Sequence, residues 1–120
     1  MARILVVDDS PFLRKVICNN LSTELHEVVA EAEDGDDAIE KYRQSLPDVV
    51  TMDVTMPNRD GLDATRAILD EYPDAKIIMV SAISHSSQVM NIINSGAKDF
   101  VAKPFKRKQL LASIERAVKT

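Results

Sequence analysis

Five short apolar runs, separated by longer stretches in which apolar residues recur at helical spacing, constrain this chain most. The runs are Ile4-Leu5-Val6-Val7, Val28 to Ala32, Val49 to Asp53, Ile77 to Val80 and Asp99 to Ala102. A strand that is apolar on both sides has to be covered on both faces, and regular alternation with helical segments then predicts an α/β domain with a parallel sheet. Right-handed crossovers place the helices on the two sides of that sheet. At 120 residues the chain fits one domain, spanning 1–120.

The first helix is expected to open at Ser10-Pro11, with Phe12, Leu13, Val16, Ile17, Leu21 and Leu25 as its buried stripe. A turn at Asp34-Gly35 leads to a second helix from Asp37 to Gln44, with Ala38, Ile39 and Tyr42 inward. The loop Thr55-Met56-Pro57-Asn58-Arg59-Asp60-Gly61 is rich in turn residues and precedes a third helix from Leu62 to Glu71. The fourth spans Ser86 to Ser95 with Gly96 as a left-handed cap, and the last spans Arg107 to Val118, carried by Leu110, Leu111, Ile114 and Ala117. Met52, Met56, Met79 and Met90, with Cys18, are read as core filler. His26 and His85 lack a companion of metal-ligand type and are read as solvated loop residues, and Lys106-Arg107-Lys108 as a solvated first turn.

Composition closes off several classes. Hydrophobic residues at 45% and charged residues at 28% match a globular chain and argue against disorder. A formal charge of -4 repels a polyphosphate backbone, so nucleic acid is not an expected partner. The single cysteine excludes an intramolecular disulfide and a thiolate zinc site. No run approaches membrane-spanning length, and Ile4 to Val7 is too short for a signal-peptide core, so a soluble cytoplasmic protein is expected. The glycines, at 35, 61 and 96, form neither a dinucleotide fingerprint nor a P-loop.

Ligands of open parallel sheets sit at the carboxyl ends of the strands. The polar residues at those ends are Asp8 and Asp9 after the first, Asp53 ending the third, Ser81 after the fourth and Lys103 after the fifth. Crowded carboxylates need a proton or a cation between them, and Mg²⁺ suits an all-oxygen set. Asp9 and Asp53 fit direct ligation, Asp8 ligation through water, and the loop after Asp53 can add a main-chain carbonyl. With Lys103 as a mobile cation and Ser81 as a hydroxyl donor, these are the parts for phosphoryl transfer to a carboxylate, and Asp53 is the best-placed nucleophile.

The order and spacing of several segments carry a resemblance. They are Ile4-Leu5-Val6-Val7-Asp8-Asp9-Ser10, Asp48-Val49-Val50-Thr51-Met52-Asp53 with Met56-Pro57 and Asp60-Gly61, Ser81-Ala82, Gly96-Ala97-Lys98-Asp99-Phe100, and Lys103-Pro104-Phe105. Across essentially its full length the chain resembles response-regulator receiver domains of two-component signalling. The resemblance implies a flavodoxin-like (βα)5 fold with strand order 2-1-3-4-5. It also implies Asp53 as phosphoacceptor, Asp8 and Asp9 as the acidic pair, Thr55 as main-chain metal ligand and Lys103 as the phosphate-binding lysine. Ser81 would be the switch hydroxyl, where threonine is often found, and Phe100 the switch aromatic, where several members carry tyrosine. The Lys103-Pro104 bond is expected to be cis.

From the same resemblance follow Mg²⁺ as cofactor, a histidine kinase as phosphodonor, and output through the face of the fourth helix, fifth strand and fifth helix. Ser81 through Phe105, with Asp53 to Pro57, is similar to chemotaxis regulators of the CheY type, with the flagellar motor switch as a candidate target and a phosphatase as a further partner. No output module follows the last helix, so output is expected through protein contact, and the only chemistry expected is self-phosphorylation and dephosphorylation. Alternatives are a sporulation-type phosphorelay intermediate or a receiver cut from a longer regulator. An aspartate-nucleophile phosphatase would need an acid two residues after Asp53, where Thr55 stands. A flavodoxin-like electron carrier would need a phosphate loop in place of Asp8-Asp9-Ser10-Pro11.

Overall fold

The computed structural model describes residues 2–22, 26–82 and 86–120. Strands β1 (Ala2–Val7), β2 (His26–Ala32), β3 (Val49–Met52), β4 (Ile77–Ser81) and β5 (Asp99–Ala102) alternate with helices α1 (Pro11–Leu21), α2 (Gly35–Ser45), α3 (Gly61–Glu71), α4 (Ser86–Asn94) and α5 (Arg107–Lys119). The strands form one sheet in the order β2-β1-β3-β4-β5, with every pairing parallel. This is the flavodoxin-like arrangement expected from the sequence. Among the described residues no helix is long and apolar enough to cross a membrane.

Successive strand residues point to opposite faces, so the apolar runs feed two cores. Leu5, Val7, Val50, Met52, Ile77 and Met79 pack against Ala38 and Tyr42 of α2, Ala64 and Ile68 of α3, and Ile92 of α4. Ile4, Val6, Val49, Ile78, Val80 and Val101 pack against Ile17 and Leu21 of α1 and Leu110, Ile114 and Ala117 of α5. Three helices cover one face and two the other.

Side-chain caps start three of these helices near the carboxyl edge of the sheet. The oxygens of Ser10, Asp34 and Asp60 accept from the N–H groups of Leu13, Asp37 and Asp63 at 3.2, 2.8 and 2.8 Å, each satisfying a donor that the helix itself cannot. Gly96, at φ 93, follows α4 in the left-handed conformation that a glycine adopts without strain.

The expected α1 stripe is only half right. Ile17 and Leu21 are buried, but Phe12, Leu13 and Val16 are exposed, Phe12 by 74%. Leu13 and Val16 instead line an open groove with Ala82, Pro104 and Phe105. Leu25 and His85 fall outside the described residues. His26 is not a solvated loop residue: it is buried as the first residue of β2, paired with Ala2. Met52, Met56 and Met79 are buried as expected, whereas Met90 faces solvent on α4 beside Val89 and Ile93. Cys18 is half-buried against the α1/α5 core, and burial together with the Glu31 charge pushes its thiol up to about 11, far from a reactive thiolate.

Thr51, in the central strand, is 1% exposed, and its hydroxyl has no hydrogen-bond partner among the described residues. An unsatisfied buried hydroxyl costs stability that an isosteric methyl group would not. Thr51→Val is expected to stabilise the fold by about 1 kcal/mol, seen as a higher urea midpoint at unchanged slope.

Candidate functional site

The main chain carries the ladder of the sheet one residue past the strand ends. The Asp8 N–H donates to the Ala32 carbonyl at 3.1 Å, the Asp53 N–H to the Val7 carbonyl at 3.0 Å and the Lys103 N–H to the Ser81 carbonyl at 2.9 Å. The backbones of Asp8, Asp53 and Lys103 are thus held by the sheet itself. Asp53 lies just after β3 rather than within it, and Ser81 ends β4 rather than following it.

Asp8, Asp9 and Asp53 come together, each offering a carboxylate oxygen, with all three oxygens within 4.8 Å of one another. Asp8 is fully buried, Asp53 is 8% exposed, and Asp9 faces solvent. The Lys103 ammonium donates to Asp8 Oδ2 at 2.9 Å and more weakly to Asp53 Oδ1 at 3.4 Å. The other oxygen of Asp8 accepts from the Ser10 N–H at 2.9 Å. Asp8 is therefore satisfied on both oxygens, and Asp53 leans on Lys103.

Burial, reinforced by the Asp8 and Asp9 charges, pushes the Asp53 carboxyl up to about 6 against the counter-pull of Lys103. Burial also works against the Lys103 ammonium, but its hydrogen bond to Asp8 and the charges of Asp53 and Asp8 outweigh it and hold the group above its ordinary value. A carboxylate cluster of this charge and donor type fits a hard divalent cation, which would relieve the same repulsion that raises Asp53.

Thr55 is exposed on the loop two residues beyond Asp53. That loop returns close to its start: the Gly61 N–H donates to the Val54 carbonyl at 2.7 Å, and a Cβ at Gly61 would fall 1.9 Å from the Asp53 carbonyl oxygen. Only glycine fits there. Ser81 is buried, and the Lys103–Pro104 peptide bond is cis. Phe100 lies half-buried on β5 opposite Met79, at the edge of the α2/α3/α4 core and beside a groove of about 470 Å³ bordered also by Ala102, Lys108 and Arg116. A second groove of about 350 Å³, lined by Leu13, Val16, Ala82, Pro104 and Phe105, reaches Lys103 itself.

Sequence reasoning missed Arg14. Its Nη1 donates to the Asp8 carbonyl at 2.7 Å and its Nε to Glu31 at 3.1 Å, bracing the corner between β1 and α1. Its place one helical turn after the Ser10 cap was a usable signal, because that position looks back at the corner. Asn58 and Arg59 were missed too, and they bond across to the start of α2. Nothing in their local sequence marks those partners.

With this geometry in hand, comparison with known proteins is decisive. The response regulator receiver domain family matches residues 4–115. The chain belongs to this family. It is 45% identical over 119 residues to the chemotaxis protein CheY of Listeria monocytogenes, covering 99% of this chain and 100% of that one. It is 47% identical over 116 residues to the CheY of Bacillus subtilis, covering 97% of each. Among solved structures, the CheX-CheY-BeF3-Mg complex from Borrelia burgdorferi superposes with a TM-score of 0.89 at 33% identity, covering 95% of this chain and 87% of that one.

The raised carboxyl of Asp53 sets a pH dependence. Asp53 holds a proton up to about 6 in the folded chain, against about 4 in an unfolded one. The folded state then binds more protons through that interval, so stability is fully present below about pH 4 and is lost as pH rises through about 6. In urea titrations without divalent cations, Asp53→Asn is expected to flatten this fall and to be more stable than wild type by about 1–2 kcal/mol at pH 7.5. The figure is discounted from the full shift because Lys103 loses a partner. An unchanged slope in the mutant would refute the assignment.

Proposed function

We propose that this receiver domain is a phosphorylation-activated switch in chemotaxis, taking a phosphoryl group from a histidine kinase onto Asp53. The observation that carries the reading is one carboxyl raised by its burial, with Asp8 and Asp9 on one side and the Lys103 ammonium on the other. The extended similarity to CheY proteins favours chemotaxis over a sporulation phosphorelay. Thr55, standing where an aspartate-nucleophile phosphatase carries its acid, argues for a signalling protein over a turnover enzyme.

In this reading Asp9, Asp53 and the Thr55 carbonyl would hold Mg²⁺ directly, and Asp8 would do so through water. Bound there, the ion supplies charge neutralisation for the carboxylates and for phosphoryl oxygens. An Asp53 oxygen attacks phosphorus, an O–P bond forms, and the N–P bond to the donor histidine breaks, leaving an aspartyl phosphate. Lys103 moves from its carboxylate partners to a phosphoryl oxygen, and the Ser81 hydroxyl donates to another. The mixed anhydride then hydrolyses and resets the switch.

Withdrawal of Ser81 towards the phosphoryl group frees space for the Phe100 ring, which already borders the groove between β5 and α5. The change is read by a protein target on the face of α4, β5 and α5. The exposed Val89, Met90 and Ile93 give that face an apolar component. The flagellar motor switch is the candidate target and a phosphatase a candidate partner, and a CheX-like protein is another, since a CheY has been seen in complex with CheX. A histidine kinase donor and a lone unpaired Cys18 fit action in the cytoplasm.

Incubation with acetyl phosphate and Mg²⁺ is expected to add one phosphoryl group by intact mass, mapped to Asp53 and absent from Asp53→Asn. Modification that persists in the mutant would overturn the reading. A second measurement isolates the switch. Beryllofluoride should shift the NMR resonances of α4 and β5 in wild type and substantially less in Ser81→Ala, and identical responses would return Phe100 to simple core packing.

A further inference from the structure

The loop after Asp53 is fastened at its middle to the start of α2. Asn58 Nδ2 donates to Asp34 Oδ2 at 2.9 Å, and the Gly35 N–H donates to the Arg59 carbonyl at 2.9 Å. The approach is backbone to backbone: a Cβ at Gly35 would lie 2.4 Å from that carbonyl oxygen. Arg59 adds ion pairs to Asp36 at 2.7 Å and Asp63 at 3.0 Å. Both aspartates are more than half exposed, so these pairs contribute little. Asn58 sits at φ 67, a left-handed conformation that asparagine tolerates better than most residues.

Asp34 divides its carboxylate between two tasks. Oδ1 caps α2 by accepting from the Asp37 N–H at 2.8 Å, and Oδ2 takes Asn58. Between Asn58 and Thr55 stand Met56, which is buried, and Pro57, whose ring fixes φ. This spacer is stiff, so where Asn58 is held bears directly on how Thr55 is presented.

We propose that Asn58, through Asp34, is a positioning residue for the divalent cation of the Asp8, Asp9 and Asp53 cluster, ordering the loop segment that offers the Thr55 carbonyl. The inference rests on reading that cluster as a metal site. Mg²⁺ tolerates little departure from octahedral geometry, and a neutral carbonyl ligand has no charge to compensate for poor placement. Affinity therefore depends on a loop ordered before the ion arrives.

The test uses Mn²⁺ binding by the full chain, followed by the EPR signal of the free ion, far below the melting temperature. Asn58→Gly keeps the left-handed backbone and removes the amide. Asp34→Ser keeps a good helix cap and removes the oxygen that Asn58 uses. Each is expected to weaken Mn²⁺ binding about three- to fivefold, and the double variant about as much as either alone, because the two share one bond. A merely structural role would lower the melting temperature and leave the affinity of the folded protein unmoved. Wild-type affinity in Asn58→Gly, or single effects that multiply in the double variant, would overturn the proposal while the metal site stands. Wild type that takes up no Mn²⁺, or an Asp9→Ala variant that binds as tightly as wild type, would overturn the metal reading and the proposal with it.

Discussion

The ammonium of Lys103 allows Asp8 and Asp53 to be buried side by side. Two carboxylates in a dry environment repel strongly, and a shared cation is what makes their proximity tolerable. The sharing is unequal, at 2.9 Å to Asp8 and 3.4 Å to Asp53. Asp8 also receives the Ser10 N–H. The weaker compensation therefore falls to Asp53, which burial, with the Asp8 and Asp9 charges adding to it, drives up to about 6. An asymmetry of this kind leaves Asp53, the less well hydrogen-bonded of the two, with more to gain from a new electrophile or cation.

That arrangement depends on the sheet more than on the helices. Asp8, Asp53 and Lys103 each donate a main-chain N–H to the neighbouring strand's end, so parallel register sets their spacing. The caps at Ser10, Asp34 and Asp60 then turn the chain back into helices near the same edge. The cis bond after Lys103 and the close approach of Gly61 to Asp53 lie at this edge too.

The periodic parts of this fold were legible because burial has a period. Runs such as Val49 to Met52 and Ile77 to Val80 are apolar on both faces, and only a doubly covered strand explains them. The strand-end aspartates and lysine were legible for a topological reason, since the sheet leaves one edge to which all its carboxyl ends converge. Phe12, Leu13 and Val16 misled because helical spacing reveals a face but not whether anything lies beneath it. Met90 misled in the same way on α4. His26 misled because β2 starts two residues before its apolar run, where pairing with Ala2 buries a polar side chain.

Asn58 and Arg59 were out of reach for a different reason: their partners are fixed by tertiary approach, which no local pattern encodes. This has a bearing on how such a site is assembled. Its charged groups stand on the sheet, where the hydrogen-bond ladder and two hydrophobic cores over-determine them. Its loop is held by a few polar contacts to the starts of α2 and α3, most of them solvent-exposed. Such contacts are weak individually and their loss leaves the core untouched. The charge of the site is thus fixed by the fold as a whole, while the loop after Asp53 rests on surface contacts whose loss leaves the sheet that carries the carboxylates undisturbed.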